Sequence, residues 1–104
     1  QKSNALYQDD KISITYTFLH IKDNYKIFMV DGVLDAGVYT QKVNGVIDYV
    51  SFIFLYYDGK RYEIKYKRPL GISDMQKKIQ EVKTAASILA VTSKNYRKYP
   101  AYRL

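Results

Sequence analysis

The sequence predicts an α+β fold, in which an antiparallel β-meander of about five strands is followed by one C-terminal amphipathic helix packed on it. Between Lys11 and Arg68, apolar and polar residues alternate, and short turn motifs containing Asp, Asn or Gly separate the alternating runs. After Pro69 the apolar residues recur at spacings of three and four, which indicates a helix. The strands can form an open sheet or a partly closed barrel.

The first two strands are predicted as a hairpin. Ile12–Ile21 shows period-two spacing and is rich in β-branched and aromatic residues, a pattern typical of a half-buried strand. Asp23-Asn24 follows as a two-residue turn, because both side chains tolerate the left-handed backbone that such a turn requires. The second strand covers Tyr25–Val30 and ends at Asp31-Gly32, which predicts a turn or a bulge.

A weaker strand is predicted over Val38–Val43, and Asn44-Gly45 marks the turn into the last hairpin. That hairpin turns at Asp58-Gly59; its first arm is apolar at nearly every position, whereas its second arm alternates. A two-residue turn predicts a core face that pairs Tyr57 with Lys60, Leu55 with Tyr62, Ile53 with Ile64 and Ser51 with Tyr66. The opposite face then pairs Tyr56 with Arg61, Phe54 with Glu63, Phe52 with Lys65 and Val50 with Lys67.

This second face would place aromatic rings beside cations, where long Lys and Arg stems cover ring surface while their charges stay in water. Three uses of such a face are open. It can be the exterior of a closed barrel, a contact surface for another chain or a second sheet, or a platform on which nucleic-acid bases stack. A partner protein or plain packing is favoured over nucleic acid, since no RNA-binding sequence motif accompanies the aromatics.

The helix is predicted over Ser73–Val91. Ser73 and Gln76 have the spacing of a capping box, in which two side chains hydrogen-bond the free backbone amides of the first turn. One apolar stripe runs along the helix and is expected to dock on the sheet. It consists of Ile72, Met75, Ile79, Val82, Ala86 and Leu89.

Residues 92–104 are predicted to form a basic aromatic tail, because neither helical nor strand periodicity continues past Pro100. Its tyrosines interleave with cations, so the rings can lie against the domain while the charges stay in water, or both can contact a partner. A chain ending at Ser93 is therefore expected to keep its fold. The residues concerned are Tyr96, Tyr99 and Tyr102 with Lys94, Arg97, Lys98 and Arg103.

The chain of 104 residues is expected to form one domain, with residues 1–10 as an N-terminal extension. It contains no cysteine, which excludes disulfide bonds, a thiolate nucleophile and Cys-based zinc sites. No apolar run reaches the roughly 18 residues of a membrane span. The first residue is Gln1 rather than methionine. Either trimming during cloning or cleavage of a signal peptide can explain this, and the second explanation favours export over a cytoplasmic location.

No arrangement of residues indicates catalysis. His20, the one histidine, lies near the end of the first predicted strand, where a hydrogen-bonding role is more frequent than that of a general base. Asp31, Asp35 and Asp48 remain as candidates for a carboxylate pair or an oxygen-ligated cation, but their spacing matches no cation-binding loop. The sequence therefore predicts a protein that is not an enzyme and that uses no cofactor and no metal.

At the level of architecture, a meander closed by a C-terminal amphipathic helix resembles small domains of the pleckstrin-homology type. Those domains have seven strands, whereas five or six are predicted here. Their ligand loop joins the first two strands, where this chain offers Lys22 and Lys26 around Asp23-Asn24. The resemblance implies binding rather than catalysis and nothing about the ligand.

The positive charge is concentrated in the second part of the chain. Residues 60–104 hold twelve Lys or Arg against three acidic residues, a net charge of +9, whereas residues 1–59 hold five against seven, a net charge of −2. This asymmetry suits an acidic partner, and Tyr and Arg are frequent contact residues. We therefore predict a non-enzymatic interaction module that binds an acidic protein; the alternative is an electrostatic nucleic-acid-binding protein that stacks bases on sheet and tail aromatics. The predicted contact residues are Arg61, Lys65, Lys67, Tyr96, Arg97, Lys98, Tyr99, Tyr102 and Arg103.

Overall fold

Two antiparallel sheets and one long C-terminal helix share a single core in a computed structural model, which describes residues 5–67 and 72–98. The predicted α+β class, with a C-terminal helix packed on antiparallel strands, is confirmed. The strand arrangement differs in detail, because the meander divides into one sheet of four strands and one of three. Seven strands are thus present in the described part of the chain, and the two sheets do not close into a barrel.

The first sheet has the strand order β1-β2-β3-β4. Its strands are β1 Tyr7–Gln8, β2 Ile12–Ile14, β3 Phe18–Ile21 and β4 Lys26–Met29. The prediction of one continuous strand over Ile12–Ile21 is wrong, because Thr15–Thr17 reverses the chain. The Thr15 hydroxyl oxygen accepts hydrogen bonds from the backbone N–H of Thr17 at 3.2 Å and of Phe18 at 3.0 Å. Such a local side-chain bond offers the backbone an alternative to strand pairing.

The connection between β3 and β4 is a four-residue loop, Lys22–Tyr25, rather than the predicted two-residue turn at Asp23-Asn24. Ile21 pairs with Lys26 across the base of this loop. The left-handed backbone conformation falls on Tyr25, whose φ is 56°, rather than on the aspartate or the asparagine. The predicted turn is therefore correct in its place along the chain and wrong in its length.

A 3-10 turn over Val30–Gly32, where the sequence predicts a turn or a bulge, leads into the second sheet with the strand order β5-β6-β7. Its strands are β5 Val33–Val43, β6 Val46–Tyr56 and β7 Arg61–Lys67. β5 is longer than the strand predicted over Val38–Val43. The two-residue turn at Asn44-Gly45 is confirmed, since Val43 pairs with Val46 and the two turn residues have φ values of 53° and 79°.

The β6–β7 hairpin pairs one residue out of step with the predicted register. Its loop has three residues, because the Tyr56 N–H donates to the Lys60 carbonyl at 3.0 Å and Gly59, with φ 84°, supplies the left-handed position. The Asp58 carboxylate holds this loop by accepting the N–H of Lys60 and the hydroxyl of Tyr62, each at 2.8 Å. The predicted two-residue turn and its cross-strand pairs are therefore wrong.

A shift of one residue exchanges the two faces of β6. Phe52 pairs with Ile64 and Phe54 pairs with Tyr62, so both phenylalanines lie on the core face, where they are buried. On the opposite side, the charged residues of β7 face two aliphatic residues, one serine and one tyrosine of β6: Leu55 pairs with Arg61, Ile53 with Glu63, Ser51 with Lys65 and Tyr49 with Lys67. The predicted pairing of these phenylalanines with charged residues does not occur.

Aromatic rings join the two sheets at the centre of the core. Phe28 of β4 packs edge-on against Phe54 of β6, with 5.0 Å between the ring centroids, and against Tyr62 of β7 at 4.7 Å. Phe54 and Tyr62 stack on each other at 5.1 Å. Edge-on and offset stacked pairs of this kind add stability beyond the area that they bury, so these rings hold the two sheets together.

The helix, α1 Ile72–Lys98, packs with one stripe against the core. The described residues of the predicted stripe are all buried: Met75, Ile79, Val82, Ala86 and Leu89. This docking of the helix on the sheets confirms the prediction from the three-and-four spacing. Although α1 has 27 residues, neither it nor any other helix of the described ranges is apolar enough to cross a membrane.

The helix continues past the predicted end at Val91 as far as Lys98, so residues 92–98 of the predicted tail are helical. Ser93 and Tyr96 continue the buried stripe, and Tyr96 is 9% exposed. The Ser93 hydroxyl donates to the carbonyl of Val33, which fixes this last part of the helix to the start of β5. The predicted helix end at Val91 and the predicted non-helical tail are therefore wrong over residues 92–98. The burial of Tyr96 agrees with the alternative in which the tyrosines lie against the domain. Residues 99–104 lie outside the described residues.

Candidate functional site

The second sheet has one covered face and one open face. The covered face carries Phe52 and Phe54 and forms part of the core with α1 and the first sheet. Strand alternation turns the other set of side chains away from that core, and no described element packs over it. This set, here called the open face, consists of Asp35, Gly37 and Tyr39 from β5, Tyr49, Ser51, Ile53 and Leu55 from β6, and Arg61, Glu63, Lys65 and Lys67 from β7.

Three cations of β7 line one edge of the open face. Arg61, Lys65 and Lys67 are exposed and alternate with the residues of β7 that pack in the core, so their side chains point to the same side. Lys65 Nζ lies 4.7 Å from the centroid of the Tyr49 ring, a distance at which the ring attracts the charge. The structure thus brings together the three strand residues that the sequence predicts as contact residues and leaves them accessible.

The one anion in this row is held within the sheet. Glu63 lies between Arg61 and Lys65 along β7, and its carboxylate accepts a hydrogen bond of 2.5 Å from the Ser51 hydroxyl. Ser51 is fully buried although it belongs to the open face, so this bond satisfies a hydroxyl that would otherwise be costly to bury. The carboxylate therefore has a structural partner, and the row keeps a net positive charge.

The apolar part of the open face is centred on Gly37. An open depression of about 440 Å³ lies there, between Asp35 on one edge strand and Arg61 on the other, with Ile53 and Leu55 at its base. A Cβ atom on Gly37 would meet no atom within 4 Å, so the glycine leaves this space empty rather than avoiding a clash. The face therefore combines an apolar base with a charged rim.

The other predicted contact residues are not part of this face. Tyr96 lies on the core side, where its hydroxyl is 3.4 Å from that of Thr17. Arg97 and Lys98 belong to the last turn of α1, and their side chains are outside the described part of the structure. The remaining predicted contact residues, Tyr99, Tyr102 and Arg103, also lie outside the described residues.

Sequence reasoning missed the apolar half of the open face. The incorrect register assigned Ile53 and Leu55 to the core and Phe52 and Phe54 to the surface. The phenylalanines are buried and therefore unavailable as a stacking platform for nucleic-acid bases. The alternation of β7 correctly assigns Tyr62, Ile64 and Tyr66 to the core face, but it does not decide which set of β6 residues shares that face.

The outer face of the first sheet is also apolar, but it carries fewer charges. Phe18 pairs with Met29 and His20 pairs with Ile27 on this face, and Ile27 is 62% exposed. His20 is half-buried among these residues, which agrees with a strand position rather than with a cleft. Nothing in the described structure covers this face or indicates what would bind there.

Asp9, between β1 and β2, ties the N-terminal strand to β7. One carboxylate oxygen accepts hydrogen bonds from the hydroxyls of Tyr7 at 2.7 Å and Tyr66 at 2.8 Å, and the other accepts the N–H of Lys11 at 2.8 Å and of Ile12 at 2.9 Å. Burial opposes ionisation, but these hydrogen bonds hold the pKa of Asp9 below its ordinary value. Burial and the contact with Asp9 raise the pKa of both phenols, so they remain donors at neutral pH. The cluster is therefore a structural clip.

Replacing Asp9 by asparagine should lower the free energy of unfolding at neutral pH by about 1–2 kcal/mol, a value reduced for the partial exposure of the carboxylate, because an amide cannot accept all four hydrogen bonds. In the native protein this stabilisation is present above the ordinary carboxyl pKa of about 4 and is lost as the pH falls through the lower folded pKa. The variant should therefore lose less stability on acidification than the native protein.

Urea unfolding at neutral pH and at about pH 3 measures both effects, since that pH lies below the ordinary carboxyl pKa. Asp10→Asn is the matched control, because Asp10 is the exposed neighbour of Asp9. If the two variants had the same stability and the same response to acid, Asp9 would not be the clip described here.

The described residues hold no cluster of three or more His, Cys, Asp or Glu side chains that could bind a metal ion. Asp31, Asp35 and Asp48 are thus not brought together as such a group.

Comparison with protein-family models, with curated proteins and with solved structures gives no significant match. No relative therefore indicates an activity, a ligand or a partner for this chain.

Proposed function

We propose that the protein is a non-enzymatic interaction module that binds an acidic segment of another protein on the open face of the second sheet. One observation supports the proposal above all others: Arg61, Lys65 and Lys67 form an exposed row on one face of an edge strand. Their charges would attract an acidic partner and raise the rate of encounter. The apolar base at Ile53 and Leu55 would add a desolvated contact.

The shape and the chemistry of the face favour a protein over nucleic acid. Nucleic-acid binding calls for phosphate contacts on a broad basic surface and for exposed rings on which bases stack. Here Asp35 and Glu63 lie within the face, and Phe52 and Phe54 are buried. One observation favours the alternative: the exposed ring of Tyr39 lies 6.3 Å from that of Tyr49, the ring beside Lys65.

Reversing the three charges, as Arg61→Glu, Lys65→Glu and Lys67→Glu together, should weaken binding of a fluorescent polyglutamate peptide about tenfold, since three exposed ion pairs contribute about 0.5 kcal/mol each. Binding should also weaken with added salt, because exposed charges are screened. Fluorescence anisotropy at low and at physiological salt measures both effects, and circular dichroism checks that the fold is kept.

The matched control is the triple variant Lys77→Glu, Lys83→Glu and Lys94→Glu, which changes the net charge equally on the exposed side of α1. It should bind the peptide with nearly the affinity of the native protein. Equal losses in the two variants would mean that total charge, rather than the open face, governs the interaction. Tighter binding of single-stranded DNA or RNA than of polyglutamate would favour the nucleic-acid alternative instead.

A further inference from the structure

The outer edge of β7 has a row of backbone groups that point away from the sheet. β6 is the one strand that pairs with β7 in the described structure. The bond from the Tyr56 N–H to the Lys60 carbonyl marks that pair as hydrogen-bonded, and hydrogen-bonded and non-bonded pairs alternate along an antiparallel ladder. The backbone of Tyr62, Ile64 and Tyr66 therefore faces β6, and that of Arg61, Glu63, Lys65 and Lys67 faces outward.

No described residue forms a hydrogen bond to these outward N–H and C=O groups. An unpaired edge of this kind is a template for another strand, and many proteins use it to bind an extended peptide through main-chain hydrogen bonds. The same four residues carry their side chains on the open face. A strand added at this edge would thus meet the free backbone groups and the cations together.

The charges on this edge indicate what kind of strand it would accept. Two copies of β7 paired antiparallel about Glu63 would place Arg61 against Lys65 and Glu63 against its own copy. Two copies paired about Ile64, the middle of the strand, would place Glu63 against Lys65 but Arg61 against Lys67. Like charges directly opposite each other destabilise a strand pair, and charged edges are a known protection against self-pairing. In both registers a second copy of this chain places cations opposite cations, whereas an acidic strand places a negative charge opposite each of Arg61, Lys65 and Lys67.

We propose that the outer edge of β7 binds an extended acidic segment of the partner by antiparallel strand addition. This inference rests on the proposed function and specifies its geometry. Acidic residues at alternate positions of the segment lie opposite Arg61, Lys65 and Lys67 on the open face. The residue opposite Glu63 is neutral or basic, because an acidic residue at that position would be repelled by the Glu63 carboxylate. The intervening residues are β-branched or apolar, because they lie on the side of Tyr62 and Ile64.

The geometry can be tested with a synthetic peptide of the length of β7 in which Glu and Val alternate, except that Gln takes the position opposite Glu63. A block peptide with the same residues, in which all Glu come first and all Val come last, has the same charge but cannot place its carboxylates on one side of a strand. The alternating peptide should bind about tenfold more tightly, which corresponds to about 1.4 kcal/mol. Equal affinities, together with the expected loss on charge reversal, would refute strand addition and leave the proposed function standing.

Backbone pairing is tested with two N-methylated forms of the alternating peptide on the native protein. In an antiparallel pair, the Glu residues opposite Arg61, Lys65 and Lys67 direct their N–H groups toward β7, and the Val residues direct theirs away. Methylation of the Glu amides should therefore abolish binding, and methylation of the Val amides should leave it nearly unchanged. Equal affinities of the two methylated peptides would overturn the proposal.

A protein variant gives an independent check. Lys65→Pro removes an outward N–H, and proline is tolerated on an edge strand when its missing N–H faces solvent. Lys65→Gln is the matched control, because it removes the charge and keeps the N–H. The proline variant should bind the alternating peptide about tenfold more weakly than the glutamine variant, a difference of about 1.4 kcal/mol. Equal binding by two folded variants would show that the edge backbone is not used.

If neither the alternating nor the block peptide binds, and charge reversal has no effect on polyglutamate binding, the proposed function itself fails and strand addition fails with it. The two failures are therefore distinguishable, because charge reversal reports on the face and N-methylation reports on the edge.

Discussion

Replacing Ile79 by aspartate should leave the domain largely unfolded at room temperature. Ile79 is 6% exposed and lies in the middle of the helix stripe that packs on the core. A carboxylate at this position would be buried without a cationic partner on the stripe, which costs about 4–5 kcal/mol or more. A domain of this size has a free energy of unfolding of about 5–15 kcal/mol, so one such substitution removes a large part of it.

Far-UV circular dichroism and urea unfolding measure this loss directly. Gln80→Asp is the control, since it introduces the same charge at the neighbouring helix position, which is exposed. This control should retain nearly the full stability of the native protein, because surface substitutions rarely change it by more than about 0.5 kcal/mol. A folded Ile79→Asp protein with unchanged stability would mean that α1 is not docked on the sheets as described.

The parts of the fold that the sequence predicts correctly are those in which local pattern and burial agree. The helix stripe is one example, because apolar residues at spacings of three and four leave only one side of a helix to bury. The Asn44-Gly45 turn is another, since both residues tolerate the left-handed backbone of a two-residue hairpin. In these places no long-range contact is needed to decide the structure.

The register of the β6–β7 hairpin could not be decided in the same way. Asp58-Gly59 fits a two-residue loop, and Gly59 fits equally well the left-handed position of a three-residue loop. The first arm could not distinguish them, because residues on both of its faces are apolar. The choice is made by tertiary packing, in which Phe54 and Tyr62 meet Phe28 of the other sheet.

The candidate site was predictable where it depends on alternation within one strand. Arg61, Lys65 and Lys67 share a face in any register of β7, so their grouping follows from the sequence. The position of the apolar base at Ile53 and Leu55 depends on the register between β6 and β7. The incorrect register assigned both residues to the core. The helix end was misplaced although Ser93 and Tyr96 continue the spacing of four and three after Leu89.

Replacing Tyr96 by alanine should lower the free energy of unfolding by about 3 kcal/mol, the lower end of the range for a buried aromatic side chain. The Tyr96 ring is part of the core cluster, and its hydroxyl lies near that of Thr17. Removing it opens a cavity between the last turns of α1 and the turn that precedes β3. Chemical denaturation followed by circular dichroism measures the change.

Two controls separate packing from the other properties of Tyr96. Tyr96→Phe keeps the ring and should lose no more than about 1 kcal/mol, the contribution of one hydrogen bond. Val91→Ala changes an exposed residue of the same helix, 58% accessible to solvent, and should have little effect. Tyr96→Phe should also bind the acidic peptide with native affinity, because the ring lies on the core side of the sheet. If Tyr96→Ala kept full stability and lost peptide binding instead, Tyr96 would be a contact residue, as the sequence alone predicts, and the end of α1 would not belong to the core.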